Sequence, residues 1–482
     1  MLPPVFAFWP AVASTVLALA RAVDAPPLPA LSTGVACAEL EAHVRTLASD
    51  ALDGRATGTA GERTTADYLA RVLAAQKVTP AGDDGTFLQR VPLWRHVAKA
   101  PSVLSWTSKS GTASVARRGV DFEVGADGAT TADLEVRVVS AEGDVPKEAR
   151  AELALFIDAP LSKRRAWLAA AGHADGAGFG LILSPLPQAP SAPRERHDER
   201  VVREKPSGAL PARVGLWGEL LEHVRSGSAA RVRFESNAEW QPFDSFNVVG
   251  KIPARKAADG AAEEAIVVSA HFDHLGELPD GAPSSSPDPE RDFVFNGADD
   301  DASGVAAVLE IAGALATEPP PARTIVFLLA TGEEIGLLGT REYLDRPVVP
   351  LERTVANLNF EMIGRPDALV GGAGILWLTG YERTNLGPAF TEKGLAIHVD
   401  PRPEQNFYQR SDNIAFVRKG IVGQTLSSYN LHADYHTVDD EPDRIDYAHL
   451  CACTRAGLDA VRLLASDGFR PQWSAGFEPK PR

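Results

Sequence analysis

From Phe243 onward the chain repeats one pattern. Short apolar runs rich in β-branched residues, NVVGKI, AIVVSA, TIVFLLA and VANLNF, alternate with helix-like stretches such as ASGVAAVLEIAGALA. Runs this short and this apolar suit strands buried on both faces. Strands alternating with helices specify an α/β fold: a mostly parallel mixed sheet covered by helices on both faces. In such sheets ligands gather beyond the carboxyl ends of the strands.

The 482 residues exceed what one ordinary core holds, so more than one domain is expected. Helical periodicity marks about Cys37 to Ser49 and the stretch TTADYLARVLAAQ. Residues 93–242 change character to short strand-like runs, LALFID and FGLILS among them, with a proline- and charge-rich loop at 185–208. The division is therefore 37–92 and 243–467 as the two parts of one α/β domain, 93–242 as a smaller β-rich insert, and 468–482 as a tail. Residues 1–20 carry no charged side chain and lead to small-x-small sites at Ala18–Ala20 and Ala20–Ala22. This reads as a secretory signal over 1–22, although the usual basic residue before the apolar run is missing. Pro3, Pro4 and Pro10 argue against a spanning helix. The expectation is a secreted or periplasmic chain with no stable membrane span once the signal is removed.

A net charge of -16 without basic runs excludes nucleic acid as the expected partner. Three cysteines, Cys37, Cys451 and Cys453, are too few for a disulfide framework and read as small buried hydrophobes. A CxC metal site is the second choice.

Polar motifs stand where the strand-like runs end. His271-Phe272-Asp273-His274 follows AIVVSA. The run Asp299-Asp300-Asp301 opens a helix. Glu333-Glu334 follows TIVFLLA, Glu361 follows VANLNF, and His436 closes HADYH. Imidazole and carboxylate are good ligands for Zn²⁺. One bridging carboxylate can hold two ions about 3.5–4 Å apart. Each element alone is more often bland. Adjacent glutamates favour a helix start, aspartates cap helices, and a lone His-x-Asp is usually coincidence. Their succession in order, mostly at strand ends, is harder to dismiss.

The segments SAHFDHLG, NGADDDASGVA, ATGEEIGLLG, NLNFEMIGR and ADYHTVDD, with LASDALDGRATGTAGERTTADYLA upstream, resemble the di-zinc aminopeptidases of the leucyl/aminopeptidase-S type. Glutamate carboxypeptidase, transferrin receptor and glutaminyl cyclase belong to the same wider group. The insert, with ELALFID and GHADGAGFGLILS, more weakly resembles a protease-associated domain. The resemblance implies two Zn²⁺ ions. His271 and His436 would bind one each, Asp300 would bridge them, and Glu334 and Glu361 would each bind one. Glu333 would be the general base and acid, and Asp273 would orient His271. It also implies a cis peptide at Asp300-Asp301. Two departures stand out: Glu361 where the family commonly has Asp, and Ser411-Asp412-Asn413 where it commonly has Ser-Asp-His.

The implied reaction is hydrolysis of a peptide or small amide by water activated between the ions. Tyr408, three residues before Ser411, matches the family's oxyanion tyrosine. Tyr435, beside His436, is the rival. An aminopeptidase is the leading reading. A carboxypeptidase, dipeptidase or glutaminyl cyclase of the same fold, and a non-catalytic receptor-like binding protein, are the alternatives.

Overall fold

The computed structural model describes residues 25–98, 102–117, 121–126, 134–139, 151–158, 179–185, 200–205, 212–235, 238–255, 264–278 and 292–479. The signal expected over 1–22 and most of the loop expected over 185–208 lie outside these residues.

Eight strands carry the main sheet: β1 (Leu88–Ala98), β2 (Ala238–Ile252), β3 (Ala265–His271), β4 (Thr324–Ala330), β5 (Thr354–Phe360), β6 (Leu376–Leu378), β7 (Ile397–Val399) and β8 (Val422–Ser427). Their order is β7-β6-β8-β5-β3-β4-β2-β1, extended by Arg200–Val202 beside β1, while Thr79–Pro80 pairs with β2. The four central strands β8, β5, β3 and β4 run parallel. The flanks β2 and β1 are antiparallel. The sheet is thus mixed, with its parallel part at the centre.

The apolar runs alternate between two cores, as the period of a strand requires. Ile266, Val268 and Ala270 of β3, with Ile325, Phe327 and Leu329 of β4, face one core. There they meet four helices: α1 (Cys37–Leu47), α2 (Ala60–Ala75), α3 (Gly304–Ala316) and α4 (Tyr447–Leu464). Val267, Val326 and Leu328 face the other core, against Tyr343, Leu344 and Phe416 from the helices Leu338–Asp345 and Asn413–Val417. Burial on both faces explains why these runs are continuously apolar rather than alternating. α4 approaches the sheet closely at Gly457, where an added Cβ would stand 2.5 Å from the Phe360 ring.

A second, eight-stranded sheet lies between Val103 and Glu235 with its own core around Phe122, Phe156, Leu183, Val214 and Phe234. It is reached through β1 and β2, which pair without interruption from Leu88↔Val248 to Ala98↔Ala238. Residues 93–98 and 238–242 therefore belong to this ribbon and continue the main sheet. The expected tail is docked: Ser474 N donates to Arg383 O at 2.8 Å, and Gln472 N to Asn385 Oδ1 at 2.9 Å.

The reading of the cysteines as reduced hydrophobes needs correction. Cys37, opening α1, and Cys451, in α4, form a disulfide across a sequence separation of 414. Their pairing depends on α1 and α4 packing side by side, which spacing in sequence does not display. Cys453 is free and buried, with Sγ 3.4 Å from His449 Nε2. Alkylation of the denatured, unreduced protein should label one cysteine, and three after reduction. Replacing Cys37 and Cys451 together by serine should lower the unfolding free energy by about 2–4 kcal/mol in urea titrations. Equal stability of the two proteins would show that the bond contributes nothing.

Candidate metal centre

β3, β4 and β5 end in near register, His271 opposite Ala330 and Ser269 opposite Asn359. The residues that follow are therefore delivered to one rim. His271 ends β3, Thr331–Glu334 leave β4, and Glu361 leaves β5.

The three consecutive aspartates divide their work. Asp299 Oδ1 accepts from Gly364 N at 2.7 Å, and its Oδ2 lies 3.1 Å from His432 Nε2. Asp301 Oδ1 accepts from Met362 N at 3.0 Å and Gly304 N at 3.1 Å. Asp440 accepts from the main-chain N–H of both Asp299 and Asp300. Its carboxylate is paired with Arg365 at 3.0 Å. Asp300, between these anchors, turns its carboxylate into the site, and the Asp300-Asp301 peptide is cis.

Asp300 Oδ1 lies 3.3 Å from His271 Nε2, and Oδ2 lies 3.1 Å from His436 Nε2. Glu361 Oε1 closes the first group, 3.3 Å from His271 Nε2. Glu334 Oε2 closes the second, 3.3 Å from His436 Nε2. Two metal-sized groups thus share Asp300. Sequence reasoning gave His274 no role, yet its Nδ1 lies 2.8 Å from Glu334 Oε1 and 3.9 Å from Asp300 Oδ2. It stands three residues past His271 in HFDHLG, but its partner Glu334 arrives from a different strand.

Asp273 holds His271 differently from expectation. The main-chain carbonyl of Asp273 takes His271 Nδ1 at 3.1 Å, while its carboxylate stands off at 3.8 Å. That carboxylate accepts instead from the N–H groups of Glu333 at 3.0 Å and Glu334 at 3.4 Å. It therefore fixes the turn carrying both glutamates. The longer side chain of Glu361 is also held: Ser411 Oγ donates to its Oε2 at 2.5 Å, and Asn359 Nδ2 donates to Ser411 Oγ at 2.8 Å. The serine of the Ser411-Asp412-Asn413 motif thus supports Glu361. Asn413 turns away, donating to Tyr408 O at 3.0 Å.

Tyr408 is a correction. Its ring packs in the second core with Ile414, Ala415 and Phe416, below the guanidinium of Arg383 at 4.6 Å, and not with the carboxylates. Asn406 is in the left-handed region (φ 54°), and the turn it starts presents Phe407 to a cavity beside Glu361 while Tyr408 enters the core. Tyr435 reaches the site instead, stacked on His436 with ring centroids 3.8 Å apart.

The electrostatics favour a cation. Burial alone would depress His271, but the Glu361 and Asp300 carboxylates outweigh it and raise its pKa well above the usual value. His436 is likewise raised to about 10 against burial, by Asp300 and Glu334. Burial first, then the surrounding carboxylates, push Glu333 well above an ordinary glutamate despite His271. Such crowding of buried carboxylates calls for positive charge. Arg55, fully buried, supplies some from a distance. Its guanidinium is spent on carbonyls, Phe272 O at 2.8 Å, Asn296 O at 2.7 Å, Gly297 O at 3.1 Å and Leu47 O. It ties the end of β3 to the loop before the aspartates. The His271/Asp300/Glu361 and His274/Asp300/Glu334 sets have the mixed nitrogen and oxygen donors that zinc takes. The residues present therefore fit a divalent pair. Arg55, Met362 and His436 have positive φ (52°, 50° and 56°). Left-handed backbone at such residues is uncommon and is characteristically found at functional sites.

Residues 247–461 match Peptidase family M28. This part of the chain is similar to the peptidases of that family. Among solved structures, the aminopeptidase from Aneurinibacillus sp. strain AM-1 has a TM-score of 0.60 at 17% identity, covering 90% of this chain and 94% of that one. A zinc aminopeptidase from Bacillus subtilis has a TM-score of 0.54 at 17% identity, covering 92% and 97%. These likenesses establish the fold. A vacuolar membrane protease of Lachancea thermotolerans is 29% identical over 50% of this chain and 22% of that protein. A probable lipoprotein aminopeptidase of Mycobacterium tuberculosis is 28% identical over 29% of this chain and 24% of that protein. The matched segments span less than a quarter of either of these curated relatives.

Glu62 of α2 supports the Glu333–Glu334 turn from behind. It is buried and accepts from Gly58 N at 2.8 Å, Ser245 Oγ at 2.5 Å and Thr331 Oγ1. Burial pushes its pKa up to about 7. A raised carboxyl favours the folded state fully below its unfolded value of 4.5, and that contribution is lost as pH rises through about 7. Glu62→Gln should therefore gain on the wild type between pH 4.5 and 7, by up to about 3 kcal/mol. Urea titrations at pH 4.5 and 7.5 measure this, and a parallel pH dependence in both proteins would contradict it.

Proposed function

We propose that the chain is a zinc-dependent aminopeptidase that removes N-terminal residues from peptides, with two ions in one site. His271, Asp300 and Glu361 would hold one ion, and Asp300, Glu334 and His436 the other, with His274 behind Glu334. The observation that carries this reading is the division of Asp300, one oxygen toward each imidazole-carboxylate group. A bound divalent pair supplies Lewis-acid polarisation of a carbonyl and makes water more acidic.

The chain's own residues do the rest. Glu333 takes the proton from the attacking water and returns it to the leaving amine, so one carboxyl serves both halves of the reaction. Asp273 keeps Glu333 in place through its main-chain N–H. The oxyanion donor in this reading is Tyr435, not Tyr408. The free amine of the substrate would face the carboxylates of the rim, which favours action at the N-terminus.

Passage through an oxidising compartment accords with the Cys37–Cys451 bond, since disulfides persist outside the reducing cytosol. Among the described residues no helix is long and apolar enough to cross a membrane. We infer export of the chain from that disulfide.

Aminoacyl-nitroanilides should be cleaved and their N-acetylated forms should not. Cleavage of the blocked substrates alone would overturn the aminopeptidase reading. Metal analysis should return two zinc ions per chain, whereas one ion with full activity would exclude the paired site. Glu333→Gln should lower turnover by about 10²–10⁴-fold with its zinc retained. Glu334→Gln should lose zinc as well. Near-normal turnover in Glu333→Gln would remove it from the mechanism.

A further inference from the structure

A cavity opens beside Glu361, with Met362, Trp377, Phe407, Tyr429 and Tyr435 as its apolar wall and Arg410 at its edge. The rings form a continuous series toward the candidate metal centre. Trp377 to Phe407 is 5.3 Å between centroids, Phe407 to Tyr429 is 5.8 Å, Tyr429 to Tyr435 is 5.4 Å, and Tyr435 stacks on His436. A side chain on the first residue of a bound peptide would run along this wall.

Two hydrogen-bond donors in the lining lack partners suited to them. Trp377 is 1% exposed, and its Nε1–H is buried with no acceptor. An indole N–H normally finds a partner when buried, because leaving one unmet is unfavourable. Arg410 is exposed, and its guanidinium lies 5.2 Å from the Phe407 ring centroid. Among the described residues no carboxylate is paired with it. The nearby hydroxyls do not meet the need. Ser427 Oγ already accepts from Tyr429 N at 3.1 Å, and Thr425 Oγ1 from Asn359 Nδ2 at 3.4 Å. Glu361 does not meet it either, since its Oε1 faces His271 and its Oε2 takes Ser411.

We propose that this cavity selects an N-terminal glutamate-type residue, with the methylene stem along the aromatic wall and the carboxylate received by Arg410. Guanidinium and carboxylate match in geometry and charge, and such bonds are stronger than neutral ones. A leucyl side chain fills the apolar wall but offers the Arg410 guanidinium no anion.

The proposal rests on the aminopeptidase reading for its orientation, so the test includes a readout without turnover. Zinc-loaded enzyme is assayed on glutamyl-, glutaminyl- and leucyl-nitroanilide, and binding of free L-glutamate and L-leucine is measured by calorimetry. Wild type should prefer glutamyl over leucyl by at least about tenfold in kcat/KM, with glutaminyl between. Arg410→Leu should lower kcat/KM for the glutamyl substrate by about 30–100-fold and leave the leucyl substrate within about threefold. Arg410→Lys should recover part of the loss. L-glutamate should bind more tightly than L-leucine to wild type but not to Arg410→Leu. If free-amine substrates are not cleaved but the binding preference holds, the aminopeptidase reading fails and the glutamate-selecting cavity stands. Equal or tighter binding of L-leucine, no measurable binding of L-glutamate, or a leucyl preference unmoved by Arg410→Leu would each overturn the proposal.

Discussion

Asp300 sits 3.3 Å from one imidazole and 3.1 Å from another, buried among other carboxylates. A carboxylate so placed would swing away or take up a proton unless its backbone were fixed and its charge answered. Much of the surrounding structure does one or the other. Asp440 fixes the main chain of Asp299 and Asp300, and Arg365 answers Asp440. Asp299 and Asp301 attach the turn to the segment beyond β5. Arg55 spends its donors on the end of α1, the residue after β3 and the loop before the aspartates, and leaves its charge to act through the interior. These bonds connect the turn to the elements around it, and a connected buried polar network holds one arrangement.

The α/β architecture was legible because β3, β4 and β5 are buried on both faces and so appear as unbroken apolar runs. The site was legible for the same reason. Residues placed just past those runs, His271, Glu333, Glu334 and Glu361, have no other rim to occupy once the strands are parallel. Asp300 follows from opening the helix that returns to the next strand. What stayed hidden depends on contacts between elements. His274 acquires a role only when Glu334 arrives from β4. Asp273 looked like a partner for an imidazole, but the N–H groups of the neighbouring turn were closer to its carboxylate. Tyr408 had the right spacing from Ser411 and the wrong direction, since consecutive residues of a tight turn face opposite sides. Cys37 and Cys451 lie at opposite ends of the chain, and sequence does not show that their helices are neighbours.

The two sheets are joined by strands of one of them. β1 and β2 are sheet members at their Leu88 and Val248 end and a connecting ribbon at their Ala98 and Ala238 end. A ribbon hydrogen-bonded along its whole length resists bending better than two free linkers. The position of the second sheet is therefore transmitted directly to the edge of the sheet that carries the site.

The main core draws on both ends of the chain: α1 and α2 from the beginning, α3 from the middle and α4 from near the end. During synthesis, which proceeds from the N-terminus, the first helices emerge long before the surfaces that cover them. Leu40, Val44, Leu69 and Val72 must wait, apolar faces open to solvent, until α4 has left the ribosome. The second sheet, contiguous in sequence from Val103 to Glu235, is free of that dependence. The order of assembly is thus built into the topology: the middle of the chain can settle while the two ends are still apart, and the half that holds the site can close last.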